Sequence, residues 1–332
     1  MSVNNLMWTE KHRPKTMDDV VGHDDIVDNM RGWVDDPSMP HILFSGPQGS
    51  GKTALTTAFA RERYGEGWRK NVLEMNASDS RGIDVVRDQI KGFAREGTAG
   101  DADDKLIFLD EADSLTKDAQ AALRRVMEDF SEISKFVMSC NYQNKIINPI
   151  QSRCVVFRMA ALTDDQIGEV VSRVLDEEGV STDRGVISKV VKASKGDARR
   201  AVHTLQVASN NGHIQESDVD GIIGGINDDE IKGILQDAMD GEYDRAMDAV
   251  QQDFLRQGVP SEELADSFYR TIKDMDIAED SRMKMMHKLA DKDYRISQGA
   301  NPEIQWSAFL ADCEIARYLS LDAYSPGGDE DV

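Results

Sequence analysis

The hydrophobic pattern changes near residue 160. Before that point, short apolar runs alternate with segments of helical periodicity. Five runs predict buried strands: HILFSG (41–46), NVLEMNA (71–77), KLIFLDE (105–111), KFVMSCN (135–141) and CVVFRM (154–159). Helical patterns near 52–64, 83–95 and 116–128 separate the first four. Continuous apolar strands that alternate with helices indicate an α/β fold with a parallel sheet covered on both faces.

Beyond residue 160 the pattern becomes helical. Thr163 and Gln166 form a capping-box pattern that opens a helix toward Glu177. GIIGGIN (221–227) is expected to be a short connection. Further helices are expected near 183–194, 197–210, 228–240, 243–257, 261–275, 279–290 and 302–321.

These patterns predict an α/β domain followed by helical domains. We place the α/β domain at 1–162, a small helical domain at 163–226 and a larger all-helical domain at 227–322. The Gly- and acid-rich tail, 323–332, is expected to be disordered. No apolar run reaches the length of a membrane span, and the amino terminus carries no secretory pattern. We therefore expect a cytoplasmic protein without a membrane partner.

The charge is distributed unevenly. The net charge of the 332 residues is −22, yet residues 1–160 hold 21 Lys and Arg against 25 Asp and Glu, while residues 161–332 hold 18 against 36. The acidic total argues against nucleic-acid binding, but the acid lies mainly in the second half. Asp outnumbers Glu and Arg outnumbers Lys, a composition like that of proteins from salt-loving microbes. The three cysteines form no C-x-x-C pair, so we expect reduced, packed thiols rather than a zinc site or disulfides.

A phosphate-binding pattern stands between the first predicted strand and helix. The segment GPQGSGKT fits G-x-x-x-x-G-K-[ST], in which glycines let backbone N–H groups face phosphate oxygens. Lys52 is expected to reach the β- and γ-phosphates of ATP, and Thr53 to ligate Mg²⁺. The predicted ATP-binding loop comprises Gly46, Pro47, Gln48, Gly49, Ser50, Gly51, Lys52 and Thr53.

The segment LIFLDEAD (106–113) has two readings. Its last four letters are the nickname of a helicase family, but a strand end beside a phosphate loop gives them another meaning. Asp110 is expected to hold Mg²⁺ there, and Glu111 to orient or deprotonate the attacking water. Asp113 is expected to cap the next helix.

Two further polar residues are candidates for the same site. Asn141 ends the next strand, where its amide would contact the γ-phosphate or position water; the alternative is an amide that only satisfies a loop. Arg199 starts a helix with Asp197 as N-cap, and it either reaches the γ-phosphate across a cleft or is an ordinary solvated charge.

Several stretches together resemble the small subunit of replication factor C, the archaeal and eukaryotic clamp loader. They occur in order: WTEKHRPKTMDDVVGHDD (8–25), the phosphate loop, EMNASDSRGIDVVR (74–87), FLDEADSLTKDAQAALRRVME (108–128), SCNYQNKIINPIQSRC (139–154) and GDARRAVHTLQ (196–206). The family usually has Tyr where His12 stands, Pro where Gln48 stands and Thr where Ser50 stands. The first change is expected to affect only packing near the base, and the other two fall on variable loop positions.

The resemblance implies an AAA+ ATPase module, a helical lid and a C-terminal collar. Such subunits form a five-membered arc with a large subunit and other small subunits, open the sliding clamp PCNA and place it on primer–template DNA. By resemblance, Asn141 is sensor 1, Arg199 is sensor 2 and Arg153 is an arginine finger. Arg13, Pro14 and Val21 would border the nucleotide base.

The helix near 83–95 is the candidate DNA surface. Arg87 and Lys91 lie one turn apart, and Arg81 precedes the helix. By resemblance this helix faces the channel for duplex DNA, so contacts are expected to be to phosphates and indifferent to sequence. The alternative is a solvated helix face. The clamp contact is expected near Ile90 and Phe93, unless these side chains are simply core.

Three other functions compete with that of a clamp-loader subunit. A DEAD-box helicase needs a second sheet domain, for which residues 161–332 offer no strands. A hexameric AAA+ DNA translocase or branch-migration motor shares the ATPase motifs, but an all-helical end fits a collar better. A nucleotide-binding scaffold without hydrolysis is disfavoured by the intact Lys52, Asp110 and Glu111.

Overall fold

A computed structural model describes residues 6–78, 83–100, 102–209, 212–223 and 228–322. For 83–87, 223, 228 and 316–322 it describes the backbone alone. The chain divides into two compact units, Met1–Ile223 and Gly224–Val332. The boundary predicted between 162 and 163 lies inside the first unit and stays a prediction, and the predicted tail lies outside the described residues. Among the described residues, no helix combines the length and apolarity needed to cross a membrane.

The first unit is built on a five-stranded parallel sheet. The strands are β1 (His41–Ser45), β2 (Val72–Asn76), β3 (Lys105–Asp110), β4 (Ser134–Cys140) and β5 (Cys154–Arg158), in the order β2-β3-β4-β1-β5. They confirm the five predicted strands. Side chains alternate between faces, so Leu106 and Phe108 join one core while Ile107 and Leu109 join the other. Both faces are covered, which is why the sequence reads as continuous apolar runs.

Helices cover both faces of this sheet. They are α2 (Asp24–Arg31), α3 (Lys52–Tyr64), α4 (Ile83–Arg95), α5 (Lys117–Asp129) and α6 (Asn148–Gln151). The short α1 (Trp8–Lys11) packs instead, through Trp8, against the helical residues that follow β5. Leu55 and Phe59 of α3 pack in the core on one face, and Leu123 and Val126 of α5 pack on the other. The carboxyl ends of all five parallel strands therefore meet at one edge, where a ligand site is expected.

A small helical subdomain completes the first unit. It comprises α7 (Asp164–Glu178), α8 (Val186–Ser194), α9 (Ala198–Ala208) and α10 (Glu216–Ile223), which share one apolar core. The predicted capping box is present, since the Thr163 hydroxyl accepts from the Gln166 N–H at 3.3 Å and the Gln166 side chain accepts from the Thr163 N–H at 3.0 Å.

Two sequence interpretations were wrong in this subdomain. Residues 221–223 belong to α10 rather than to a connection, and 224–227 lie outside the described residues. Strands also occur beyond residue 160, because β6 (Ser181–Thr182) pairs in parallel with β7 (His213–Ile214). Strands of two residues produce no period that a sequence pattern can reveal.

The second unit is helical throughout its described residues. Its helices are α11 (Asp228–Met239), α12 (Tyr243–Ala249), α13 (Ser261–Asp274), α14 (Glu279–Ser297) and α15 (Pro302–Asp322). A π-helical turn, Val250–Leu255, follows α12 where one continuous helix was expected. Trp306, Phe268 and Phe309 are fully buried at its centre. Cys313 is buried here, and Cys140 and Cys154 are likewise free thiols in the first unit.

Candidate functional site

The phosphate loop connects β1 to α3 at the carboxyl edge of the sheet. Gly46 has no room for a side chain, because a Cβ there would lie 2.1 Å from the Met159 carbonyl oxygen. Gly49 has a φ of +70°, and a Cβ would lie 1.9 Å from Asp197 Oδ1. The first contact packs the loop on the chain after β5, and the second brings it against the start of α9. Both positions therefore require glycine.

Lys52 occupies the first position of α3, and its side chain turns back into the loop. Its Nζ donates to the carbonyl oxygens of Gly46 and Pro47, both at 2.7 Å, and to Asn141 Oδ1 at 3.2 Å. Burial lowers the pKa of the Lys52 amine, and the nearby Asp110 carboxylate opposes that effect. The contact with Asn141 brings together two residues that the sequence proposed separately.

The end of β3 provides a group of oxygen atoms beside the loop. Thr53 Oγ1 donates to Asp110 Oδ2 at 3.0 Å, and the Ser139 hydroxyl donates to Asp110 Oδ1. The Glu111 N–H donates to Asp110 Oδ1 and to Ser139 Oγ, each at 3.1 Å. Glu111 has a φ of 55°, an uncommon left-handed conformation for a residue with a Cβ.

These oxygen donors suit Mg²⁺. Magnesium is usually held by one or two carboxylates or hydroxyls together with water and substrate phosphates, not by a dedicated protein cage. The Thr53 hydroxyl and the Asp110 carboxylate, which are hydrogen-bonded to each other, are the oxygen groups here that could contact such an ion.

Asp113 does not cap the following helix, so that prediction was wrong. Thr116 is the N-cap of α5, where its hydroxyl accepts from the Ala119 N–H at 3.2 Å. Asp113 Oδ2 instead accepts from the backbone N–H groups of Asn141 and Tyr142, at 3.3 and 3.1 Å. It thereby anchors the turn that presents Asn141 to Lys52.

A cleft of about 210 Å³ opens above the loop, between the sheet edge and the small helical subdomain. Most of the predicted site residues line it: Arg13, Pro14, Val21, Gln48, Gly49, Ser50, Gly51, Lys52, Thr53, Asp110, Glu111, Asn141 and Arg199. Gly46 and Pro47 contribute backbone carbonyls to Lys52 but do not line the cleft. Sequence reasoning missed several other lining residues, among them Trp8, Asp19, Ser139, Leu162, Arg173 and Glu177.

Arg199 reaches the cleft from the start of α9. Asp197 is the predicted N-cap, and its Oδ1 accepts from the Arg200 N–H at 3.0 Å. The Ala198 N–H points to the Gly49 carbonyl oxygen at 3.4 Å. The first turn of α9 therefore lies directly on the phosphate loop, with Arg199 beside it.

The amino-terminal segment is tied to the small helical subdomain. His12 Nδ1 lies 2.9 Å from Glu177 Oε2, and its Nε2 lies 2.5 Å from Glu178 Oε1. Lys11 also donates to Glu178, at 2.8 Å. His12 therefore does more than alter packing near the base, since it links the segment that carries Arg13 to α7. No local sequence signal could reveal a contact between residues so far apart in the chain.

Arg153 lies outside the cleft lining. Its guanidinium donates to the Pro149 carbonyl oxygen at 2.7 Å and to Glu128. The side chain remains about a third exposed. This position follows α6 and precedes β5 at an edge of the sheet, away from the chain's own phosphate loop.

Helix α4 carries part of the predicted DNA surface. Arg81 lies outside the described residues, and so does the side chain of Arg87. Lys91 is partly exposed. The prediction of a clamp contact at Ile90 was wrong for this structure, because its side chain is 0% exposed in the core beneath the helix. Phe93 is partly buried against the same core, and Lys105 Nζ lies 4.2 Å from its ring centroid.

Two family matches cover most of the chain. Residues 42–161 match the ATPase family associated with various cellular activities (AAA). Residues 226–312 match the replication factor C C-terminal domain. The first match contains the sheet with its phosphate loop, and the second contains most of the helical second unit.

Curated relatives match over nearly their whole length. The replication factor C small subunit of Haloarcula marismortui is 44% identical over 306 residues, 92% of this chain and 94% of the relative. That of Archaeoglobus fulgidus is 42% identical over 309 residues, 93% of this chain and 97% of the relative. A solved structure of the Thermotoga maritima RuvB Holliday junction branch migration motor aligns with a TM-score of 0.53 at 17% identity, covering 79% of this chain and 90% of that one.

The similarity to RuvB shows a shared AAA+ fold. At 17% identity it is not evidence that the two proteins have the same function. The relatives show the family, because their identity extends over both units, including the helical second unit. This confirms the resemblance inferred from the motifs. The chain therefore belongs to the replication factor C small-subunit family and is an AAA ATPase of DNA replication.

Proposed function

We propose that this chain binds ATP with Mg²⁺ in the cleft and hydrolyses it as one subunit of a clamp loader. In that role it helps to open the sliding clamp PCNA and to place it on primer–template DNA. Its partners would be a large subunit and other small subunits, in a complex of five, in the cytoplasm. The proposal rests on two hydrogen bonds beside the phosphate loop, one from Lys52 to Asn141 and one from Thr53 to Asp110.

Each side chain in the cleft would have a distinct part. Lys52 neutralises the β- and γ-phosphates, and Thr53 with Asp110 holds the magnesium ion, which would screen developing phosphate charge. Glu111 orients or deprotonates the attacking water, while Asn141 and Arg199 contact the γ-phosphate. Gly46, Pro47, Gln48, Gly49, Ser50 and Gly51 shape the loop, and Arg13, Pro14 and Val21 border the base.

The other proposed site residues would interact with a neighbouring subunit or with DNA. Arg153 lies away from its own cleft, which supports a role at a neighbouring subunit's ATP. Arg87 and Lys91 of α4, together with Arg81, which precedes that helix in the sequence, would meet DNA phosphates. We further propose that the chain consists of an ATPase domain (1–162), a lid domain (163–226) and a collar domain (227–322).

The proposal is tested first by nucleotide titration of Lys52→Ala. We expect no saturable ATP binding at concentrations that saturate the wild type, because the main positive charge on the phosphates is gone. Lys70→Ala, a change at an exposed lysine, is the matched control and should bind normally. Unchanged affinity in Lys52→Ala would refute the site assignment.

A second experiment tests the activity. ATP hydrolysis should rise when the partner subunits, the clamp and primed DNA are added together. A nucleotide-binding scaffold would show no hydrolysis by this subunit in any of these mixtures. A translocase would instead be stimulated by DNA without the clamp.

A further inference from the structure

Left-handed backbone conformations cluster around the nucleotide cleft. Three non-glycine residues in the described part of the chain have a positive φ: His23 at 62°, Glu111 at 55° and Lys195 at 52°. Glu111 lines the cleft, and Lys195 stands two residues before the N-cap of α9. Such conformations are unfavourable for residues with a Cβ, and they mark positions at which the surroundings impose a constraint. None of the roles proposed for other residues in ATP, clamp or DNA binding explains the left-handed backbone of His23.

The His23 side chain contacts the phosphate loop. Its Nε2 lies 3.1 Å from the Ser50 carbonyl oxygen. A carbonyl oxygen only accepts, so Nε2 carries the proton and donates. Ser50 is itself buried, and its hydroxyl donates to the Pro47 carbonyl oxygen at 2.9 Å. That same oxygen accepts from Lys52 Nζ, so the His23 contact joins a network that ends at the phosphate-binding lysine.

The contact between His23 and the Ser50 carbonyl oxygen also orients the N–H group of Gly51. The peptide between Ser50 and Gly51 is trans, as are all peptide bonds in the described chain, so its N–H points opposite to its C=O. Holding the Ser50 carbonyl toward His23 therefore fixes the direction of the Gly51 N–H. Gly51 lines the cleft and precedes α3, where backbone N–H groups bind phosphate.

The hydrogen bond from His23 to Ser50 does not depend on the protonation state of the imidazole. The imidazole is partly buried, and burial lowers the pKa of His23, while the Ser50 carbonyl and Asp24 oppose that effect. The neutral ring with Nε2 protonated and the imidazolium both donate from Nε2. The hydrogen bond to Ser50 therefore survives in either protonation state.

We propose that His23 is a positioning residue for nucleotide phosphates: its left-handed backbone aims the imidazole at the Ser50 carbonyl and so sets the Gly51 N–H for phosphate. The inference rests on the proposed function, because it requires nucleotide phosphates in the loop. His23 itself touches no substrate and acts through the Ser50–Gly51 peptide.

The test compares His23→Gln with His23→Met. Both side chains are unbranched and of similar length, and both retain a Cβ in the left-handed backbone, but only Gln carries an N–H donor. We expect His23→Gln to bind ADP like the wild type. His23→Met should bind ADP about three- to ten-fold more weakly, the effect of one ordinary hydrogen bond. Thermal unfolding without nucleotide should come at a slightly lower temperature for His23→Met, because the hydrogen bond to Ser50 lies within the folded chain. ADP affinity is therefore compared well below the unfolding temperatures of both variants.

A third variant covers the case in which His23→Met folds poorly. Asn tolerates the left-handed conformation but has a shorter side chain, so His23→Asn should be at least as stable as His23→Gln and still bind ADP weakly. Equal ADP affinity in the Gln, Met and Asn variants would overturn the proposal and leave His23 as a turn residue. If Lys52→Ala binds ADP as tightly as the wild type, the site assignment itself fails, which separates the two conclusions.

Discussion

The Thr53 hydroxyl donates to Asp110 Oδ2 at 3.0 Å, which joins the first turn of α3 to the last residue of β3. The two residues are 57 positions apart, and the parallel sheet brings them together because β1 and β3 end at the same edge. Ser139 at the end of β4 completes this group by donating to the same carboxylate.

Thr53→Val should weaken the Mg²⁺-dependent part of nucleotide affinity. Valine keeps the shape of the side chain but removes the hydroxyl oxygen that would ligate the ion. We expect ATP titrations with Mg²⁺ and with EDTA to differ less for the variant than for the wild type. Thr57→Val is the matched control, since its hydroxyl donates to the Thr53 carbonyl oxygen one turn away, at 2.8 Å. An equal Mg²⁺ effect in both variants would remove Thr53 from the ion site.

Glu111→Gln should keep ATP binding and slow hydrolysis by roughly ten-fold or more, because it removes the base but preserves the side chain's size. The assembled loader should then capture clamps but remain longer on DNA. Glu132→Gln, at an exposed position, serves as the control and should hydrolyse normally. Steady-state hydrolysis near the wild-type rate in Glu111→Gln would show that another group handles the water.

Arg153→Ala should leave this subunit's own nucleotide affinity nearly unchanged and impair hydrolysis in the assembled complex. An arginine supplied to a neighbour's γ-phosphate can contribute roughly 10³-fold. The contact with Glu128 offers a competing, structural role. Arg124→Ala is a close control, because Arg124 also pairs with Glu128, at 4.0 Å, from an equally exposed position.

Mixed complexes decide between the two roles of Arg153. Subunits with Arg153→Ala are combined with Lys52→Ala subunits, and hydrolysis is measured at defined interfaces. Loss confined to the ATP of the neighbouring subunit supports the arginine finger. Loss only at the mutant's own ATP would contradict it, and equal losses in Arg124→Ala would point to the Glu128 contact.

Reversing Arg87 and Lys91 to Glu should weaken DNA binding equally across sequences and reduce its dependence on salt, as expected when phosphate contacts are lost. ATP binding should be unaffected. The control reverses Arg184 and Lys192, two exposed cations of the small helical subdomain, with the same change in net charge. If both double variants bind primed DNA alike at matched salt, α4 is not the DNA surface.

His41 should make the first unit less stable as the pH falls. Its Nδ1 accepts from the Phe136 N–H at 3.1 Å, and burial, together with Lys135, lowers the pKa of His41 from its ordinary 6.5 to about 4. Because the unfolded chain binds the proton more tightly, this contribution is complete above pH 6.5 and is lost as the pH falls toward 4.

Chemical denaturation at several pH values checks this expectation. The free-energy difference between the wild type and His41→Gln should shrink between pH 6.5 and 4. His203→Gln, at an exposed position on α9, is the control and should follow the wild type over this range. A pH-independent difference for His41→Gln would show that the ring is not held neutral.

The sequence alone determined the parallel sheet of the first unit and the phosphate-loop side of its cleft. Strand and helix periods are local properties, so the strands near 41–46 and 105–111 and the helix near 52–64 could be predicted within a residue or two. The phosphate loop was equally accessible, because glycines followed by Lys and Thr meet a local backbone requirement. Parallel topology then predicted that Asp110 and Asn141 would lie at the sheet edge that carries the phosphate loop. The hydrogen bond of 3.2 Å from Lys52 Nζ to Asn141 Oδ1 was not predicted.

Only the tertiary structure decided contacts between distant segments and the burial of amphipathic positions. Asp113 had a plausible local role as a cap, but the backbone of Asn141 and Tyr142 bound it instead. The sequence left Ile90 open between a clamp contact and core burial, and the structure buries its side chain completely in the core beneath α4. His12 with Glu177 and His23 with Ser50 leave no local pattern, because their hydrogen bonds form between segments that meet only after folding. Local propensity determines the helices and strands, whereas tertiary packing determines which of their polar groups form hydrogen bonds with one another.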